Sequence, residues 1–370
     1  MKHDGERPPP MVQSHEEMLT AFALGQRLYE RFAKKTSSLI AEILEASPIG
    51  VHSIGFRVKS KESLREKVAR PDKGYSRLED ITDLVGIRII THFAEDVDRV
   101  AELIDREFDV QPQSIDKRKL MAVNSFGYSS LHRVCRLSTS RLHFPEYSSF
   151  QGLTCEIQIR SILQHTWAEI QHDLGYKRQG GVPDPIQRRF FILAALLESA
   201  DTEFSRIKSE LTAYEQKSRI EAQTTPQKVG IDAITLLQFA ERSLELRNTE
   251  KEIATKMSAD LYPVPPHDVG AVFGIWAAYL LGSGIANVDQ LEKEYASNRN
   301  DIVKFAAGQL QGTHFHEGIS LLVVSLLKVS RIGSMDEIKK KLEDMEPHER
   351  SREIHFSRIR RFLGVGKATS

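Results

Sequence analysis

Residues 153–160 read Leu-Thr-Cys-Glu-Ile-Gln-Ile-Arg, and this short stretch decides the class of fold. Apolar and polar side chains alternate along it, which is the two-residue period of a β-strand with one buried face. The residues that follow, 161–176, carry Trp167, Ile170 and Leu174 on one helical stripe instead. A strand that leads directly into a helix predicts a sheet covered by helices.

Strand and helix patterns also alternate on the N-terminal side of this stretch. Ser14 and Glu17 form a capping-box pattern, and the helix that it begins is predicted to run to about Glu45. The following patterns are a strand at 51–59, a helix at 60–70, a strand at 84–93, a helix at 94–108 and a strand at 128–137. The predicted fold class is therefore α/β (α+β), a mixed β-sheet flanked by helices.

Helical patterns alone follow residue 185. Apolar residues at helical spacing predict one long amphipathic helix; they are Ile186, Phe190, Leu193, Leu197, Ala200, Phe204, Ile207 and Leu211. A polar break near 222–228 is the best domain boundary. We thus predict an N-terminal tail and helix at 1–50, a domain with the strands at 51–222, and a helical C-terminal domain at 223–370.

The composition excludes several classes of protein. Lys and Arg number 51, as do Asp and Glu, so a uniformly basic surface for nucleic acid is absent. Cys135 and Cys155 lack metal-ligand spacing, which argues against a zinc site or a disulfide framework and favours the cytoplasm. The strongly apolar run at 271–281 is too short to cross a membrane and predicts a buried helix.

A group of cationic and hydroxyl side chains is suited to binding phosphate. Arg57 and Lys59 share one strand face, and Ser60, Ser63 and Lys67 share one side of the helix that follows. Cations and hydroxyls that converge near a helix N-terminus can hold a phosphate group. Taken alone, the segment is more often a solvated basic helix face.

Two carboxylates lie on or directly before predicted strands. Asp83 precedes the buried strand that carries Arg88, and Glu156 lies on the strand quoted above. Carboxylates of this kind suit Mg²⁺, which prefers hard oxygen ligands, although each could equally form an ordinary salt bridge. Asp83 and Arg88 are an odd number of residues apart, so a regular strand would direct them to opposite faces. For the two to share a face, Asp83 must lie just outside the regular strand.

Two of the predicted strands each present several polar side chains on one face. Tyr128 and His132 share one face of the strand at 128–137, where a ring can stack on a base, although ordinary packing is the commoner role. Gln158 and Arg160 project from the same face as Glu156. A carboxylate beside such polar side chains can bind metal or accept the proton of a hydroxyl group.

These segments form the motifs RxKSxxSxxxK, DxxGxR, GYxSxH and ExQIR followed by WAxxxHxxxYK. In this order they closely resemble the synthetase domain of the RelA/SpoT family, over roughly residues 51–177. The resemblance implies a nucleotidyltransferase-like synthetase domain that transfers diphosphate from ATP to a ribose 3′-hydroxyl. Such an enzyme makes (p)ppGpp-type alarmones from GDP or GTP.

The resemblance also implies roles for individual residues. Arg57 and Arg88 would sandwich the adenine of ATP, and Lys59, Ser60 and Lys67 would hold its phosphates.

Asp83 and Glu156 would hold Mg²⁺, with Glu156 also drawing the proton from the acceptor hydroxyl. Tyr128, His132 and Gln158 would bind the acceptor, with the tyrosine ring stacked on its base.

One departure from the family pattern leaves the acceptor open. Members that act on guanine nucleotides usually carry a basic residue four positions before the motif tyrosine, where this chain has Asn124. Lys117, Arg118 and Lys119 are nearby substitutes. The alternatives are a toxin-like enzyme that modifies the 3′ end of tRNA, with residues 229–370 as a fused regulatory domain, and an inactive binding scaffold. The formation of a homo-oligomer also stays open.

Overall fold

The computed structural model describes residues 12–71, 73–116, 130–175 and 183–365. The chain forms two compact units, Met1–Lys208 and Ser209–Ser370. The sequence placed the boundary at 222/223, whereas the units divide earlier, inside a long helix. The last turns of that helix belong with the second unit, since Ala222 lies in its core and Ser218 Oγ donates a hydrogen bond to Gln238.

The described strands of the first unit are β1 (Val51–Val58), β2 (Val85–Thr91), β3 (Phe108–Val110), β4 (Ile115–Asp116), β5 (Leu131–Leu137) and β6 (Cys155–Ser161). Its described helices are α1 (His15–Glu45), α2 (Lys61–Val68), α3 (Glu95–Glu107), α4 (Thr139–Leu142), α5 (Pro145–Ser148), α6 (Ile162–Gly175) and the beginning of α7 (Asp184–Thr224). The predicted capping box of Ser14 and Glu17 begins α1 and is confirmed.

The strands form one mixed sheet, in the order β1-β2-β6-β5-β3, with β4 paired to β5. Strands β2 and β6 run parallel, and the other pairs are antiparallel. This arrangement confirms the predicted class, a mixed sheet flanked by helices. The sheet buries one face under α1 and α3, where Phe32 and Val100 pack against Ile87 and Ile157.

Side chains at alternate positions explain how the sheet has one apolar and one polar face. Ile87, Ile89, Ile157 and Ile159 are buried, whereas residues between them are partly accessible. Asp83 lies in the turn before β2, outside the regular strand, as its parity predicted. The polar face of β1, β2, β6 and β5 therefore remains available for ligands.

The second unit contains, besides the end of α7, the described helices α8 (Ala233–Arg242), α9 (Leu244–Met257), α10 (Val269–Gly282), α11 (Val288–Ser297), α12 (Arg299–Gln309), α13 (Ile319–Val329), α14 (Met335–Met345) and α15 (Glu349–Phe362). The predicted helical character is confirmed, but β7 (Asp260–Tyr262) and β8 (His314–His316) also pair there in parallel. A strand of three residues is too short to show the two-residue alternation by which strands are recognised in a sequence.

Helix α10 is the apolar segment that the sequence predicted to be buried. Phe273, Trp276 and Leu280 lie in the core of the second unit. Among the described residues, none of the helices is long and apolar enough to cross a membrane.

Gly318 is predicted to be essential to the packing of α10 against the start of α13. Its φ of +95° lies in the left-handed region, and an added Cβ would stand 2.4 Å from the ring of Trp276. Gly318→Ala should lower the free energy of unfolding by about 2–4 kcal/mol, measured by urea titration. Gly308→Ala, in α12 with open space around its Cβ, should instead be neutral or stabilising; equal effects of the two changes would contradict this explanation.

Candidate active site

A cavity of about 450 Å³ opens over the polar face of the sheet. Its lining includes Arg57 of β1, Arg88 of β2 and Glu156 and Gln158 of β6, together with Asp83 from the turn before β2. Residues from three adjacent strands thus meet at one concave surface. The volume falls in the range of pockets that bind small molecules.

Asp83 stands between two lysines at one end of this surface. Lys59 Nζ lies 3.1 Å from Asp83 Oδ2, and Lys67 Nζ lies 2.8 Å from Asp83 Oδ1. Burial alone would lower the pKa of Lys67, but the hydrogen bond and charge of Asp83 outweigh it and raise the pKa above its ordinary value. We call these three residues the lysine–aspartate cluster. It carries a net positive charge; Lys59 directly precedes Ser60 before α2, and Lys67 belongs to the last turn of that helix.

Ser60 connects this cluster to helix α2. Its backbone is extended, and its Oγ accepts a hydrogen bond from Ser63 N at 3.1 Å, so that Ser60 is the N-cap. The serine that the sequence proposed as a phosphate ligand therefore also begins the helix. The positive end of the helix dipole and the free N–H groups of its first turn favour an anion at this position.

A continuous series of hydrogen bonds, the polar chain, crosses β5 and β6. His132 Nε2 lies 2.6 Å from Ser130 Oγ, and His132 Nδ1 lies 2.7 Å from Glu156 Oε1. Gln158 Nε2 donates to Glu156 Oε2 at 3.0 Å, and Arg160 Nη2 donates to Gln158 Oε1 at 2.6 Å. Both oxygens of Glu156 are thereby held, which orients its carboxylate on the sheet.

The two arginines predicted to bind adenine belong to neighbouring strands. Arg57 pairs with Gly86 in the β1–β2 register, and its side chain runs beside Gly86, with Cγ 3.6 Å from where a Cβ would be. Arg88 Nη1 lies 3.0 Å from Glu169 Oε1 of α6. A Cβ at position 86 would make only an ordinary van der Waals contact with the Arg57 side chain. Glu169 restrains the position of the Arg88 guanidinium.

Arg160 is a buried cation beneath the same surface. Burial, reinforced by the nearby charge of Arg88, lowers the pKa of Arg160 to about 10. Among the described residues its Nε has no hydrogen-bond partner. The sequence placed Arg160 on the correct face but assigned it no role, and it also missed Glu169. The sequence shows that Glu169 belongs to a helix, but it does not show which strand residue the side chain contacts.

The structure brings together most of the residues that the sequence selected. Arg57, Asp83, Arg88, Glu156 and Gln158 line the cavity.

Lys59, Ser60 and Lys67 adjoin it through the lysine–aspartate cluster, and His132 adjoins it through Glu156. Tyr128 and Asn124, like Lys117, Arg118 and Lys119, lie outside the described residues, so their predicted roles stay predictions.

Comparison with known proteins identifies the family of this chain. A family model described as "Region found in RelA / SpoT proteins" matches residues 56–181. The GTP pyrophosphokinase YjbM of Bacillus subtilis (strain 168) is 30% identical over 158 residues, which span 71% of that protein and 42% of this chain. The chain belongs to the RelA/SpoT family.

Further members of the family give similar matches. The GTP pyrophosphokinase YwaC of the same organism is 29% identical over 160 residues, covering 72% of that protein and 42% of this chain. Among solved structures, the small alarmone synthetase 1 of Bacillus subtilis bound to its product pppGpp has 25% identity and a TM-score of 0.43. That match covers 94% of the synthetase and 50% of this chain.

The lysine–aspartate cluster should contribute measurably to stability. Replacing Asp83 by Asn leaves two partly buried ammonium groups without their counter-charge. In a double-mutant cycle of Asp83→Asn and Lys67→Met, urea unfolding should give a coupling of about 1 kcal/mol.

The pair Asp289 and Lys293 offers a matched control, because its contact is 2.7 Å but the lysine is exposed. Its coupling should be close to zero. A coupling for Asp83 and Lys67 no larger than that of the control would show that the cluster is not a stabilising unit.

Proposed function

We propose that this member of the RelA/SpoT family is a pyrophosphokinase that transfers diphosphate from ATP to the 3′-hydroxyl of GDP or GTP. The observation that carries the proposal is the cavity in which two arginines from adjacent strands face two oriented carboxylates, Asp83 and Glu156. The similarity to two GTP pyrophosphokinases supports the same reaction class.

The end of the cavity near β1 and α2 suits ATP. A guanidinium is flat and can stack on an aromatic base, so Arg57 and Arg88 provide two surfaces for adenine. Lys59 and Lys67, with the N-terminus of α2, provide positive charge for the triphosphate. Phosphoryl-type transfer depends mainly on positioning and on the neutralisation of negative charge, and this group supplies both.

Asp83 and Glu156 would hold Mg²⁺. Among the described residues, the protein offers no group of three or more His, Cys, Asp and Glu arranged for a metal. Mg²⁺ commonly uses one or two carboxylates and completes its shell with water and substrate phosphates, so two carboxylates fit it. The hydrogen bonds to His132 and Gln158 orient Glu156 as such a ligand requires. Bound Mg²⁺ supplies neutralisation of the phosphate charge.

The polar chain would receive the proton in the transfer step. The acceptor's 3′-oxygen attacks the β-phosphorus of ATP, the bond from that phosphorus to the α–β bridging oxygen breaks, and AMP leaves. The hydroxyl proton passes to Glu156. His132 and Gln158 hold that carboxylate in place and, in this arrangement, face the acceptor side of the cavity.

A labelling experiment tests the proposal directly. The purified chain is incubated with ATP labelled in its γ-phosphate and, separately, with GDP, GTP or bulk tRNA. Label in the guanine nucleotides supports the proposed reaction, whereas label in tRNA alone would select the toxin-like alternative. Label in none of them, with ATP intact, would favour a binding scaffold.

Both carboxylates should be required for transfer. Asp83→Asn and Glu156→Gln keep the side-chain volume but remove a metal ligand, so each should reduce kcat at least about a hundredfold at saturating Mg²⁺. Asp109→Asn, on the exposed edge strand β3, is the control and should retain activity. Activity of either site variant within tenfold of the unmodified chain would rule out its assignment.

The two arginines should act on ATP rather than on the acceptor. Arg57→Ala and Arg88→Ala each remove a stacking surface worth about 1–2 kcal/mol, so the KM for ATP should rise roughly tenfold. Arg133→Ala is the matched control, because Arg133 projects from the opposite face of the sheet and pairs with Asp105. A defect confined to acceptor saturation would mean that the two subsites are exchanged.

Residue 124 should influence the choice of acceptor. Asn124 stands in the sequence where family members place a cation for the 5′-phosphates, so Asn124→Lys should add a charge-assisted contact of about 1.5–3 kcal/mol. Activity on GDP or GTP should rise tenfold or more, and labelling of tRNA should stay level or fall. Tyr128→Ala should reduce both, since stacking serves any purine.

If Asn124→Lys leaves guanine-nucleotide activity unchanged, the prediction about residue 124 is wrong. Single replacements of Lys117, Arg118 and Lys119 by alanine then show whether one of them provides the cation instead.

A further inference from the structure

Arg160 ends the polar chain, and packing alone does not account for a cation at this position. It retains 7% of its accessible surface, and its Nε is buried without a hydrogen-bond partner among the described residues. The carboxylates of Glu156 and Glu169 attract its charge, but burial and the charge of Arg88 outweigh them and lower its pKa. Because an incompletely paired buried cation costs stability, a role beyond packing is expected.

The donors and acceptors around Gln158 give this end of the polar chain one direction. Arg160 Nη2 donates to Gln158 Oε1 at 2.6 Å, and Gln158 Nε2 donates to Glu156 Oε2 at 3.0 Å. A guanidinium can only donate hydrogen bonds, and an ionised carboxylate can only accept them. The carboxamide between the two therefore has a single orientation in which both contacts are attractive.

The opposite orientation of the Gln158 carboxamide would bring like groups together at both ends. Its nitrogen would then face the donor Arg160 Nη2, and its oxygen would face the acceptor Glu156 Oε2. The two ends of an amide have nearly the same size, so hydrogen-bond partners alone distinguish them. Arg160 thus fixes the carboxamide from one side, as Glu156 does from the other.

We propose that Arg160 is a positioning residue for diphosphate transfer, which holds the Gln158 carboxamide so that its nitrogen in turn holds Glu156. The proposal rests on the proposed function, in which Glu156 receives the proton of the acceptor hydroxyl. Gln158 lines the cavity, whereas Arg160 follows it on the same face of β6 and is buried. Arg160 therefore acts through Gln158 and not by touching a substrate.

The competing role for Arg160 is a direct one, in which its positive charge attracts the phosphates of the substrates. That attraction would not need Gln158, so the losses of activity from replacing Arg160 and from replacing Gln158 would multiply. An action through Gln158 predicts the opposite. Once Gln158 is replaced, Arg160 has nothing left to orient, and its own replacement causes no further loss.

A kinetic double-mutant cycle separates the two roles. Arg160→Met and Gln158→Met should each lower kcat with GTP as acceptor about tenfold or more, and Arg160→Met should change the KM for ATP by less than about twofold. The double variant should be no slower than Gln158→Met alone. Losses that multiply, or a kcat of Arg160→Met within about twofold of the unmodified chain, overturn the proposal.

Stability measurements distinguish positioning from a purely structural role. Arg160→Met replaces an incompletely paired cation by an apolar side chain of similar length, so urea unfolding should show an equal or higher free energy of unfolding. Arg160→Lys keeps a cationic donor and should retain more activity; it takes the place of Arg160→Met in the cycle if that variant does not fold. Arg133→Met, on the opposite face of the sheet, is the control and should keep kcat. A fall in kcat that only accompanies unfolding overturns the proposal.

A measurement that needs no activity distinguishes a failure of this proposal from a failure of the proposed function. NMR of the chain with ¹⁵N-labelled glutamine observes the Gln158 side-chain amide, which Gln158→Met assigns. Its protons should exchange with solvent faster in Arg160→Met than in the unmodified chain, because the carboxamide is then held at one end only. Equal exchange in the two overturns the proposal. Faster exchange in a chain that transfers no diphosphate supports the orienting contact and overturns the proposed function.

Discussion

The register of the four strands β1, β2, β6 and β5 is the constraint on which the site depends. Arg57, Gly86 and Glu156 are aligned across three strands in one row, and Arg88, Gln158 and His132 are aligned in the next. The two rows are two residues apart and therefore share a face. A slip of one residue in any strand would turn its polar side chains into the apolar core, so the buried isoleucines of the other face also hold the site in register.

Because the strands supply the positions, the carboxylates of the site already have partners before any ligand binds. Asp83 stands between Lys59 and Lys67, Glu169 contacts Arg88, and the carboxylate of Glu156 accepts two hydrogen bonds. Polar groups held in this way need little rearrangement when a charged substrate enters. Arg160 adds a buried cation whose lowered pKa reflects the removal of water from that side of the sheet.

The sequence alone predicted the features that depend on the two-residue period of a strand and on whether two residues are an even or odd number of positions apart. The alternation in residues 153–160 identified the strand, its polar face and the shared side of Glu156, Gln158 and Arg160. Parity also placed Asp83 in the turn before β2. The contact between Arg88 and Glu169 could not be predicted from the sequence, because it depends on how α6 folds back over β2. Strands β7 and β8 were missed for their length, and the boundary between the units differs because α7 contributes its last turns to the second core.

Our proposal requires that adenine, triphosphate and metal bind in one cavity on the polar face of the sheet. A crystal structure of this chain with Mg²⁺ and an ATP analogue that carries a methylene group between its α- and β-phosphorus atoms tests it most directly. We expect adenine between the guanidinium groups of Arg57 and Arg88, phosphates near Lys59 and Lys67, and the metal at Asp83 and Glu156. Nucleotide bound elsewhere, or metal held without either carboxylate, would contradict it.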